Sequence, residues 1–88
     1  MDWQDKMITA IESILNEGRE CNKLYRVIIV DQFHVIVVCR GAVCLKRQTA
    51  YAISSHWIQE CREIVRIIIE SKIEDYLSKI KTPAKPGE

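Results

Sequence analysis

The chain has 88 residues, 48% of them hydrophobic and 28% charged, with three Gly, two Pro and a formal net charge of +1. Such a chain makes one globular domain near the lower end of what folds without staples; it is too apolar and too nearly neutral to be disordered. The charge balance excludes a global drive toward nucleic acid or anionic membrane, and no apolar run reaches the roughly 20 residues of a membrane span.

Met1 is followed by Asp2 and Asp5 in a charge-dotted pattern, with no basic start and no continuous apolar stretch, so no signal peptide is expected and the location expected is cytoplasmic. Residues 2–17 read as an amphipathic helix. Trp3, Met7, Ala10, Ile11, Ile14 and Leu15 recur at three- and four-residue steps and cover about 160° of the helix wheel. Asp5, Thr9, Glu12, Ser13 and Asn16 fall on the other side. Asp2 is the expected N-cap and Gly18 the expected C′ residue, followed by a polar loop over residues 19–23.

Residues 24–30 are rich in β-branched side chains and read as a strand. A short turn at residues 31–33 leads to a second strand, His34–Cys39. The two-residue break Arg40-Gly41 precedes a third, Ala42–Lys46. Connections this short require antiparallel neighbours, hence a three-stranded meander. The first two strands do not alternate cleanly: Val27, Ile29, Val35 and Val37 point one way, and Ile28, Val30, Ile36 and Val38 the other. Both faces of the sheet are apolar and both need covering.

After a short helical or irregular segment at residues 49–53, Ser54 or Ser55 is placed to cap a long helix over residues 56–81. Pro83 and Pro86 stop it, and residues 82–88 read as a disordered tail after a single domain at 1–81. About 26 helical residues span roughly 39 Å, whereas a five- or six-residue strand spans roughly 17–20 Å. The helix therefore projects beyond its sheet or kinks. Its apolar stripe also turns: Ile58, Cys61, Ile64, Val65 and Ile68 in the first half, then Ile69, Ile73, Tyr76, Leu77 and Ile80, centred roughly 90–100° away. Ile67 lies among Glu63, Glu70 and Glu74. The first half suits the sheet of the same chain, leaving the second half for another surface.

Signatures of chemistry are sparse. Gly18, Gly41 and Gly87 are isolated, which excludes a glycine-rich phosphate loop. Ser54, Ser55 and His56 are adjacent on a helix start and do not face one another as nucleophile and base. Cys21, Cys39, Cys44 and Cys61 form no C-x-x-C; reduced thiols are expected, three of them within apolar patterns. Zinc wants four converging ligands at short spacings, and these are far apart. No catalytic residue, metal site or cofactor is expected. Arg40, Lys46 and Arg47 form a small basic cluster without interleaved aromatics, and Arg62 and Arg66 lie four apart on the long helix.

The order of elements resembles the MpsC-like family of small bacterial proteins, linked to a sodium-translocating, membrane-potential-generating system. The matching stretches are YRVIIVD from Tyr25 to Asp31, VIVVCRG from Val35 to Gly41, ECR from Glu60 to Arg62, and IEDYLSKI from Ile73 to Ile80. The resemblance spans roughly residues 5–80 and implies a non-enzymatic accessory role.

The fold expected is α+β, in the order α-β-β-β-α. The leading functional expectation is a non-enzymatic interaction module that forms a homodimer through Ile67, Ile69, Ile73, Tyr76, Leu77 and Ile80, with a protein partner in addition possible. The alternative is binding of nucleic acid or a small anionic ligand through Arg40, Lys46, Arg47, Arg62 and Arg66, as a small regulator or inhibitor.

Overall fold

The computed structural model describes residues 2–17 and 24–81. Gly18, the loop to residue 23 with Cys21, and the tail from residue 82 lie outside the described residues. The element order is α1 (Trp3–Asn16), β1 (Tyr25–Asp31), β2 (His34–Cys39), β3 (Ala42–Gln48), a 3-10 turn (Ile53–Ser55) and α2 (Trp57–Lys81). The sheet is antiparallel in the order β1-β2-β3, so the α-β-β-β-α arrangement read from the sequence is the one observed.

Local chemistry explains the boundaries. The Asp2 carboxylate accepts the Asp5 amide at 3.1 Å, capping α1. At the other end Glu17 adopts the left-handed conformation (φ 53°) and its N–H reaches the Ile14 carbonyl. Arg40 and Gly41 both have positive φ (55° and 81°), the backbone of a type I′ turn, which matches the twist of the flanking strands. Ser54 and Ser55 fall inside the 3-10 turn instead of directly preceding α2, which begins at Trp57. β3 runs two residues longer than expected, because Arg47 and Gln48 continue the pairing with Val35 and His34.

The core lies between the inner sheet face and the two helices. Met7, Ile11 and Leu15 from α1 meet Tyr25, Val27, Val35 and Val37 from the sheet, Ile53, and Cys61, Ile64 and Ile68 from α2. The Cys61 thiol lies 3.9 Å from the Met7 carbonyl, while Asn16 at the end of α1 bonds Tyr25, whose ring sits under Lys72. The two helices therefore run side by side in the same direction.

Two residues expected in the core are outside it: Ile14 and Ile58 are each 53% exposed. Ile58 sits at the edge of its stripe, whereas Ile14 lies well inside its own, so helical spacing alone does not set its exposure. Conversely, Asn16 and Glu12, read as solvent-facing, line the edge of β1. Asn16 Oδ1 accepts the Leu24 and Tyr25 amides at 2.9 Å each, its Nδ2 donates to the Tyr25 carbonyl at 3.1 Å, and Glu12 accepts the Val27 amide at 2.9 Å. Side chains thus satisfy backbone groups that an edge strand leaves open, which blocks pairing with another chain along that part of β1.

Candidate interaction surface

The largest unsatisfied feature of the fold is apolar surface. α2 is one continuous helix of 25 residues, but only its first half has partners in the core. From Ile69 to Ile80, about 18 Å of helix at 1.5 Å per residue, every residue is exposed. Ile69 (41%), Ile73, Tyr76 (64%), Leu77 and Ile80 all keep a large share of their surface in water. Steps of four, three and four from Ile69 through Ile73 and Tyr76 to Ile80 keep these side chains on one side of the helix, the spacing of a coiled-coil seam, with Leu77 beside it.

Ile67 stands apart from the other five. It is half-buried and borders a groove of about 240 Å³ with Tyr25, Cys39, Cys44, Ile68, Ser71, Lys72 and Asp75. This is the sheet-facing side of α2, where Lys72 Nζ lies 5.4 Å from the Tyr25 ring centre and contributes a cation–π contact.

The second uncovered surface is the outer face of the sheet. Helices cover only the inner face, so Ile28, Val30 and Val43 are each about half exposed beside the half-buried Ile36 and Val38. A bulge in β3 leaves Cys44 without an opposite number between the Val37–Leu45 and Val38–Val43 pairs.

The basic residues do not converge. Arg47 leaves the solvent and crosses to α2, where its guanidinium grips Glu60 through Nε (2.5 Å) and Nη2 (3.0 Å). Glu60 is fully buried and also accepts the Tyr51 hydroxyl. Burial pushes this carboxyl up, but the hydrogen bonds from Arg47 and Tyr51 outweigh that and hold it below its ordinary value. The same contact raises the pKa of Tyr51 and of Arg47. Arg66 is occupied by Glu63 (2.7 Å) and Glu70 (3.1 Å) on the helix surface. Arg62 borders a shallow hollow with Ser54, Ser55, His56 and Trp57, and Arg40 sits at the β2–β3 turn on another side. Lys46 belongs to the outer sheet face, opposite Ile36. The five residues divide among separate places, two of them engaged in ion pairs.

Cys39, Cys44 and Cys61 are free thiols. Burial, with the nearby Glu60, pushes Cys61 up to about 11, and partial burial with Cys39 alongside raises Cys44. Among the described residues no three His, Cys, Asp or Glu side chains gather as a metal site would require, and no helix is long and apolar enough to cross a membrane. Comparison with family models, curated proteins and solved structures finds no match to this chain.

Glu60 is the residue whose importance sequence reasoning missed. Its wheel position falls 40° beyond Ile64, at the edge of the apolar arc, and an acid that borders a buried stripe signals a buried partner. Its cation lies 13 residues away on β3, at a distance periodicity does not cover.

Proposed function

We propose that this domain is a non-enzymatic accessory module, working in the cytoplasm, that assembles with a second copy of itself through the projecting half of α2. The observation that carries the reading is the stripe Ile69, Ile73, Tyr76, Leu77 and Ile80, five large apolar side chains left between 41% and 64% exposed on one side of one helix. Fully burying such a side chain yields about 1.5–3 kcal/mol, so covering the exposed half of each contributes about 1 kcal/mol. Two copies together gain about 10 kcal/mol, against an association cost of about 4–15 kcal/mol. The balance fits a reversible dimer. The likeness to MpsC-like proteins also favours an accessory role.

Light scattering on a size-exclusion column tests the reading. The expected mass is twice the 10.2 kDa of one chain, reverting to one chain in the double variant Ile73→Asp, Leu77→Asp. A compact monomer at high micromolar concentration overturns it.

A further inference from the structure

The outer face of the sheet is separate from the α2 stripe and is built differently. At one end it hollows into a groove of about 480 Å³ lined by Leu24, Arg26, Ile28, Val38, Arg40 and Gly41. Leu24, Ile28 and Val38 make most of its lining apolar, and the two arginines share it. Unlike Arg47 and Arg66, neither Arg26 nor Arg40 has an ion-pair partner among the described residues. Gly41 closes the groove without a side chain, and a Cβ there would meet nothing within 4 Å. At the other end a second hollow of about 380 Å³ takes in Val30, His34, Ile36 and Lys46. Apolar and basic side chains therefore line both ends of the face.

We propose that this face docks a short, acidic, amphipathic helix of a partner protein. Size argues for a single segment. From Arg26 to Val30 the face is about 14 Å long, and three strands at about 4.8 Å spacing make it about 10 Å wide. A helix about 10–12 Å across, three turns long, matches it.

Charge argues for carboxylates. Two copies of the face would oppose Arg26, Arg40 and Lys46 to one another, whereas an acidic helix offers each guanidinium a fork of oxygens. The apolar side chains Ile28, Val38 and Val43 then take the partner's Leu or Ile at helical spacing. A lipid surface fits less well, because the apolar residues line hollows instead of forming a protruding tip.

The experiment is a titration of the full chain with three probes. These are a labelled helical peptide of about 16 residues with a Leu stripe flanked by Glu, its twin with Lys for every Glu, and anionic phosphatidylglycerol vesicles. The Glu peptide is expected to bind about ten-fold or more tightly than the Lys twin, and Arg26→Glu is expected to weaken it about ten-fold. Ile73→Asp with Leu77→Asp is expected to leave this binding unchanged. Equal binding of the two peptides, no binding, binding of vesicles but not peptide, or indifference to Arg26→Glu in a folded variant each overturns the proposal. Loss of binding in the α2 variant places the peptide on the helix and overturns this proposal alone. A wild-type monomer that still selects the Glu peptide overturns the dimer reading alone.

Discussion

Replacing Arg47 by Ala is the most demanding test of how β3 is tied to α2. Glu60 has no exposed surface, and three of its contacts come from Arg47 and Tyr51. Removing the guanidinium leaves a carboxylate in the core with one hydroxyl donor. Breaking a buried pair from one side costs about 3–5 kcal/mol, a large part of the roughly 5–15 kcal/mol that holds a domain together. In urea, with a slope of about 1–3 kcal/mol per molar, the midpoint falls by about 1 M or more. Replacing both partners, Arg47→Met with Glu60→Met, removes the stranded charge and costs about 1 kcal/mol or less. Urea melts followed by circular dichroism at matched protein concentration measure both. A loss below about 1 kcal/mol for Arg47→Ala would show that water reaches Glu60 and that the pair is an ordinary surface bridge.

Four further outcomes follow from the same geometry. Because the Glu60 carboxyl is held below its ordinary value in the fold, its contribution is complete above the usual carboxylate range and fades as pH falls through and below that range; Glu60→Gln flattens that acid limb in a pH series of thermal melts. Asn16→Ala strands two amides and a carbonyl at the start of β1 and costs about 2–3 kcal/mol, with the Tyr25 amide exchanging faster by NMR. Arg40→Asn places a better left-handed residue before Gly41 and raises stability by about 0.5–1 kcal/mol in a urea melt. Cys61 resists alkylation in the native state at pH 8, while Cys44 on the exposed bulge reacts ahead of Cys39 and Cys61, as mass mapping of the labelled thiols reads.

Much of the architecture is legible in the residues, because short loops and β-branched runs restrict the topology so strongly. His34–Cys39 and the Arg40-Gly41 turn follow from a two-residue break between apolar runs, and the Asp2 cap from an acid just before the helical pattern. Met7, Ile11 and Leu15 follow from helical spacing. What spacing does not convey is which neighbour a face meets. Ile14 and Ile58 match their stripes yet stay half exposed, and Asn16 and Glu12 look solvated but serve the edge of β1. Arg47 reads as part of a basic cluster because Arg40 and Lys46 are close in sequence; its alternation along β3 turns it to the inner face, away from Lys46. The apolar character of the outer sheet face was legible as a failure of alternation, while the basic hollow on it depends on cross-strand pairing that brings Arg26 opposite Val38.

Hydrogen exchange along α2 as a function of protein concentration tests the central claim most directly, since it reads the projecting half residue by residue. Residues 69–80 should be protected at high micromolar concentration and lose that protection on dilution, while residues 57–68, held by the core, stay protected throughout. Rapid exchange of residues 69–80 at every concentration, in a chain that stays folded, would contradict assembly through this helix.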